Sequence, residues 1–257
     1  MWDTFKTRWQ QGHRTQAFPP AQPLPERFRG RPTIDAGRCA AGCTACRDAC
    51  PTEAITLAPL TFDLGRCTFC PACAEACPSG AIAWTPDYRL ATRTREGLLL
   101  RDAALPLATA LDRKMRALFG RSLKLRQVSA GGCNGCELEL QALNNVVFDL
   151  SRFGIQFVAS PRHADGLVIT GPVTANMRLA LQKTYEAVPD PKLVIAVGAC
   201  AISGGPFLNS PACHNGATST VPVDLFIPGC PPHPLTILDG LLRLLGRLES
   251  GRERNTA

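Results

Sequence analysis

The sequence predicts two units: a mainly parallel α/β sheet over its second half and a small cysteine-rich α+β unit before it. Three observations carry that prediction. Apolar runs of buried-strand type alternate with helical patterns from about residue 123 to 248. Four cysteines, Cys133, Cys136, Cys200 and Cys230, fall just beyond the ends of such runs. A cysteine-dense phrase occurs twice, as "GRCAAGCTACRDACPTEAI" at 37–55 and "GRCTFCPACAEACPSGAI" at 65–82.

With 257 residues, 45% of them hydrophobic and 19% charged, the chain has the makeup of a folded protein, long enough for one full domain and a smaller companion. Its 13 cysteines set it apart. The stretch "MWDTFKTRWQQGHRTQAFPP" has neither a secretory apolar run nor twin arginines, and no segment approaches bilayer-spanning length. The expected compartment is therefore the cytoplasm, where thiols stay reduced and dense cysteine spacing points to metal rather than disulfides. A formal charge of +7 ordinarily suggests an anionic partner. Ligating thiolates change that count, because a 4Fe-4S core with four thiolates carries about −2, and three such sites bring the chain near about +1.

Residues 1–32 read as an arm. Trp2, Phe5 and Trp9 recur at helical spacing beside Lys6 and Arg8, and the Pro-rich "FPPAQPLPERFRGRP" follows. Two readings stay open for it: a frayed end, or an anchor on a membrane surface or partner subunit. Residues 33–90 hold both cysteine phrases, each followed by a strand-turn-strand pattern, in "AITLAPLTFDLG" and in "AIAWTPDYRLA". Residues 91–122 form a basic connector. Within it "LPLATALDRKMRALFG" predicts an amphipathic helix from near Pro106 to Gly120, with Leu107, Leu111, Met115, Leu118 and Phe119 on one face. Residues 123–250 carry the α/β pattern, and 251–257 form a tail. Strands are expected in "LKLRQVS", "IQFVAS", "GLVIT", "KLVIAVG" and "VPVDLFI"; helices are expected in "ELELQALNNVVFDLSRFG", "NMRLALQKTYEAV" and "LTILDGLLRLLGRLE".

Cys67, Cys70, Cys73 and Cys77, followed by Pro78, make the C-x2-C-x2-C-x3-C-P run of bacterial two-cluster ferredoxins, in which the fourth cysteine serves the other cluster. Two-residue gaps let one tight loop touch three corners of a cube. A zinc ribbon needs two separated CxxC pairs instead. The first run, Cys39, Cys43, Cys46 and Cys50, carries one extra residue: Cys39 to Cys67 is an offset of 28, whereas Cys43 to Cys70 and each later pair is 27. The expected 4Fe-4S clusters therefore sit on Cys39, Cys43, Cys46 and Cys77, and on Cys67, Cys70, Cys73 and Cys50, with loss of the first as an alternative. Cys133, Cys136, Cys200 and Cys230, from "AGGCNGCELEL", "GACAISGG" and "PGCPPHP", form a third quartet at strand ends, where open α/β sheets bind ligands. Cys213 is left as a free thiol. His163 and His233 are expected in loops at the cysteine end of the sheet, in structural roles.

The motifs "GGCNGCELEL", "SPRHAD", "GACAISGG" and "VPVDLFIPGCPPHP" resemble the small subunit of membrane-bound, energy-converting nickel-iron hydrogenases of the formate hydrogenlyase type, relatives of the 20 kDa subunit of respiratory complex I. "FRGRP", "FDLGRCTFC" and "CPSGAI" resemble the separate ferredoxin subunit of the same assemblies, so the chain looks like the two fused. The resemblance implies a flavodoxin-like sheet and a third cluster held by Cys133, Cys136, Cys200 and Cys230 against a nickel-bearing large subunit. It also implies membrane-embedded partner subunits, an external electron donor and a place on the inner face of the cell membrane. The complex I branch carries a tandem Cys-Cys where Asn134 and Gly135 separate the pair here, which tilts the choice toward hydrogenase. No catalytic residue is expected in this chain. Glu137 has two readings, a helix first-turn acid or a group assisting proton movement. The alternatives are the same electron-transfer role in a nickel-less complex I relative and, remotely, a nucleic-acid-binding redox sensor; no nucleic-acid motif supports the latter.

Overall fold

In the computed structural model, which describes residues 2–12, 14–40, 42–101 and 105–248, the chain begins with helix α1 (Trp2–Gln11) and an extended arm leading to β1 (Pro32–Ile34). The cysteine-rich unit continues with α2 (Ala45–Asp48), β2 (Ile55–Leu57), β3 (Leu60–Asp63), α3 (Ala72–Glu75) and β4 (Ile82–Trp84). β1 pairs antiparallel with β4, and the β2–β3 hairpin gains a third strand, β5 (Leu99–Leu100). Its core is small: Cys46, Ile55, Phe62, Cys73, Ile82 and Leu100. The second expected strand-turn-strand does not form, because β4 pairs with β1, Ile34 opposite Ile82, and not with the residues after it.

Next come α4 (Arg113–Phe119), β6 (Leu123–Ser129), α5 (Gly135–Ala142), β7 (Ile155–Phe157), β8 (Gly166–Thr170), α6 (Ala175–Ala187), β9 (Leu193–Val197), α7 (Ala199–Ser203), β10 (Leu225–Ile227) and α8 (Pro234–Leu244). The five strands β6–β10 form one parallel sheet in the order β10-β9-β8-β6-β7. Counted from its first strand this is 2-1-3-4-5, the flavodoxin-like order. Alternation along β9 shows why both faces are covered: Leu193, Ile195 and Val197 join the core that includes Ile237, Leu238 and Leu241 of α8, while Val194 and Ala196 join the opposite core with Leu181 of α6. Leu64, Leu90 and Leu98, from the cysteine-rich unit and the segment after it, belong to that second core as well.

Three helices are shorter than expected, α8 ending at Leu244 where its pattern continues to Glu249. α4 starts only at Arg113, where the Asp112 carboxylate accepts from the amides of Lys114 and Met115. The stretch before it is held extended, since Ala108 N donates to Ala91 O and Leu111 N to Leu244 O. α5 stops at Ala142; Asn145 Oδ1 accepts from the amides of Val147 and Phe148, turning the chain before a short 3-10 turn at Leu150–Phe153.

Within fully buried α8, Arg243 Nε donates to Asp239 Oδ2 at 2.8 Å. Burial raises the Asp239 carboxyl, against the stabilising pull of Arg243, and pushes nearby Tyr88 up to about 12. Removing one partner strands the other charge, so Asp239→Ala is expected to lower stability by about 3–5 kcal/mol, with much of it restored in an Asp239→Leu/Arg243→Met double variant, read from urea midpoints.

Candidate metal centres

The second cysteine run wraps a cavity whose lining includes Cys50, Cys67, Cys70 and Cys73. Burial drives the Cys67 thiol up to about 12, against the Phe69 amide that donates to its Sγ at 3.3 Å and with Cys73, Cys50 and Cys70 adding to the rise. Cys73 rises to about 11, from burial first and then Cys70 and Cys50. Cys50 comes from the first run; its counterpart Cys77 comes from the second and bears on Cys46, which burial raises with Cys39 and Cys77 contributing. The fourth cysteine of each run thus neighbours the other run's loop. Cys43 lies in the loop just before α2, its amide donating to Ala40 O.

The two runs fold as copies. Ala54 N donates to Cys50 Sγ at 3.2 Å and Ala81 N to Cys77 Sγ at 3.3 Å. Glu53 and Gly80 both take positive φ, as do Gly42 and Phe69. Since Gly42 and Phe69 keep the 27-residue offset, the extra residue of "CAAGC" lies ahead of Gly42 and leaves the geometry from there to Cys50 in register with its copy.

The third group gathers at the carboxyl ends of the parallel strands. Cys133 and Cys136 follow β6, Cys136 standing in the first turn of α5; Cys200 is in α7 directly after β9, and Cys230 follows β10. Burial raises Cys136, with Cys200, Glu137, Cys230 and Cys133 adding to it. Cys200 is pushed up to about 12 by burial, then by Cys230, Cys133 and Cys213. Gly198 permits this packing: its φ is +89°, and a Cβ there would lie 2.5 Å from Cys136 Sγ. Cys213, half-buried and bridged to Thr174, lies close enough to act on Cys200 but stands outside the ring of strand-end loops.

All three groups are all-sulfur donor sets, and burial, with neighbouring sulfurs adding to it, makes Cys46, Cys67, Cys73, Cys136, Cys200 and Cys230 harder to ionise. A multivalent iron core reverses that balance by binding the thiolates, so the residues fit such a group. Among the described residues no group of three or more His, Cys, Asp or Glu is gathered to hold a single metal ion.

Of the other residues singled out in the sequence, Glu137 and His233 stand where expected and His163 does not. Glu137 is buried, and its Oε1 accepts from Ser129 Oγ at 2.6 Å and Thr170 Oγ1 at 2.7 Å, tying α5 to β6 and β8. His233 sits at the cysteine end: its Nδ1 accepts from Leu235 N at the start of α8, its ring meets Phe28 and Phe148 edge-on, and burial lowers its pKa. His163 is exposed at the opposite end of the sheet, two residues before Asp165, whose carboxylate accepts from Lys124 N at the start of β6. The loop that carries His163 has already returned to the amino ends of the strands. Sequence reasoning missed Ser203, whose hydroxyl donates to Gly65 O at 2.8 Å and joins the Cys200 helix to the loop ahead of Cys67. It also missed Arg29, which donates to Phe69 O.

Residues 133–244 match the family described as NADH ubiquinone oxidoreductase, 20 Kd subunit, and residues 60–83 match a 4Fe-4S binding domain. A probable membrane-bound hydrogenase subunit of Pyrococcus furiosus is 46% identical over 130 residues, which cover 51% of this chain and 78% of that relative. The chain belongs to the family of the 20 kDa NADH ubiquinone oxidoreductase subunit. Within that family, formate hydrogenlyase subunit 7 of Escherichia coli is 43% identical over 58% of this chain and 62% of its own length. An NADH-quinone oxidoreductase subunit of Heliobacterium modesticaldum is 43% identical over 47% of this chain and 70% of its own. The family match takes in Cys133, Cys136, Cys200 and Cys230, and the 4Fe-4S match takes in Cys67, Cys70, Cys73 and Cys77.

The bonds to Glu137 generate a test. Glu137→Ala takes an acceptor from the buried Thr170 hydroxyl and from the exposed Ser129 hydroxyl and is expected to cost about 1–3 kcal/mol, while Glu137→Gln, which keeps an acceptor oxygen, costs clearly less in a urea titration.

Proposed function

We propose that the chain is the electron-transfer subunit of a membrane-bound nickel-iron hydrogenase complex. In this reading it holds three 4Fe-4S clusters, on Cys39, Cys43, Cys46 and Cys77, on Cys67, Cys70, Cys73 and Cys50, and on Cys133, Cys136, Cys200 and Cys230. The observation that carries the reading is the nearness of the last two groups. Thr68 and Phe69 line the same groove as Cys230, and the Ser203 bond fastens the loop of Cys67 to the helix of Cys200. Clusters on these cysteines would supply one-electron oxidation and reduction. The chain's own part is to fix the separation of the sulfur groups, shield them within packed loops and direct amides at their sulfurs.

The third quartet faces the large subunit that carries the nickel, membrane-embedded subunits complete the complex, and the chain lies peripherally on the cytoplasmic face of the membrane. The cysteine-rich unit exchanges electrons with an outer donor. Names of the relatives support this reading, as does the spacing of Cys133 and Cys136. The likeness to a quinone oxidoreductase subunit favours a second reading, the same role beside a large subunit without nickel. The partner's sequence separates the two, since a large subunit lacking nickel-binding cysteines overturns the hydrogenase reading.

Anaerobically purified chain is expected to hold about twelve irons and no zinc. About eight irons would empty the Cys39 quartet, and bound zinc would overturn the scheme. Cys77→Ser should remove the same EPR signal as Cys46→Ser, and Cys50→Ser the same signal as Cys73→Ser; any other grouping contradicts the crossed ligation. In the assembled complex, Cys133→Ser is expected to abolish hydrogen-driven dye reduction while the two ferredoxin-type signals persist.

A further inference from the structure

Among the described residues, none covers helix α1. All ten of its residues are exposed, Trp2 by 80%, Phe5 by 65% and Trp9 by 89%. Helices shorter than about 12 residues are marginal in water unless an apolar face is packed against something. Positions 2, 5 and 9 share a stripe roughly 60° wide at 3.6 residues per turn. Lys6 borders that stripe on one side and Arg8 on the other, while Asp3, Thr4, Thr7, Gln10 and Gln11 make up the remaining surface. The Arg8 guanidinium donates to Gly12 O, which keeps it at the carboxyl end of the helix. Arg14 follows as a further positive charge, against a single acid in the helix, Asp3.

The helix is nevertheless fastened to the molecule. Five residues beyond its end, Gln16 N donates to Val147 O at 2.8 Å, and Arg152 Nη2 donates to Gln16 O at 2.7 Å. Phe18 then packs edge-on against Tyr88 and Phe153. The arm is therefore fixed at Gln16, five residues beyond α1, to the loop that carries the exposed side chains of Val146 and Val147.

We propose that α1 is an interfacial anchor lying in the headgroup layer of an anionic bilayer, with Trp2, Phe5 and Trp9 inserted and Lys6, Arg8 and Arg14 at the level of the lipid phosphates. A protein groove also buries an apolar stripe, but it does not call for a cation along each border with uncharged Thr and Gln behind. A charged lipid surface does, because long basic side chains lay their stems on the apolar layer and their heads among the phosphates. The inference deepens the membrane-associated location proposed above. It rests on α1 alone, since lipid affinity would belong to this chain whatever its partners are.

The test uses the full chain, purified anaerobically with an untagged N-terminus and mixed with vesicles of phosphatidylglycerol and phosphatidylcholine or of phosphatidylcholine alone. The chain is expected to sediment with the anionic vesicles, less with the neutral ones and less at raised salt, and its tryptophan emission should shift to the blue. Trp2→Ser/Trp9→Ser should lower retention by tenfold or more. Lys6→Glu/Arg8→Glu should lower it by at least about 25-fold on anionic vesicles only, at roughly fivefold for each of the two cations lost. Absence of sedimentation with either vesicle, or sedimentation unchanged in both variants, overturns the proposal. So does retention that requires partner subunits in the vesicle, which would assign the stripe to a protein groove. Iron content equal to wild type in each variant keeps the cysteine sites out of the result, so a failure here is distinct from a failure of the electron-transfer reading.

Discussion

Burial of cysteine sulfur sets the terms on which this chain folds. Two of the six buried core residues of the small unit are Cys46 and Cys73, and Cys50 and Cys77 pack against them. A unit with so few aliphatic side chains buries too little apolar surface to hold its own backbone in place. Burial raises the thiols of Cys46, Cys67 and Cys73. Iron bound there in the proposed scheme cross-links loops distant in sequence, tying Cys50 to the second run and Cys77 to the first. In the proposed scheme, the inorganic core and the fold are therefore formed together.

The α/β half stands on different ground. Its sheet is covered on both faces by aliphatic cores, and the cysteines occupy only loops at one end. That division explains what was legible in the sequence. β8 matches its predicted run and β9 comes within a residue at each end, because a strand buried on both faces has to be apolar throughout; β6 also matches, although only Leu123, Leu125 and Val128 of its residues are buried. The two ferredoxin-type runs were readable because ligand spacing is a local property. Residues 105–111 were not readable: their helical periodicity is real, but hydrogen bonds to Ala91 and Leu244 hold the backbone extended. The end of α5 turned on one amide side chain, Asn145. His163 was misplaced because a motif does not reveal how far a loop has travelled back along the sheet. Ser203 and Arg29 went unnoticed because each makes its contact with a backbone carbonyl, which leaves no mark on the partner's side-chain identity.

The one-residue difference between the cysteine runs is absorbed locally. Gly42 and Phe69 occupy equivalent left-handed positions, and everything from there to the fourth cysteine repeats. Chain variation is thus confined to the outer rim of the first group, where Cys39 is exposed. The second group faces inward, toward the α/β unit, and there the spacing is the tighter one.

The passage from one unit to the other is also structural. Thr92 and Phe226 exchange backbone hydrogen bonds, and Arg93 donates to Asp224 O, so the segment leaving the cysteine-rich unit runs along β10 and covers that edge of the sheet. A ferredoxin on a loose tether would approach and leave its partner, and its exchange would vary with ionic strength and crowding. Stitched along a strand, the two halves have no encounter step at all: any charge passing between them crosses a gap whose width was decided when the polypeptide folded.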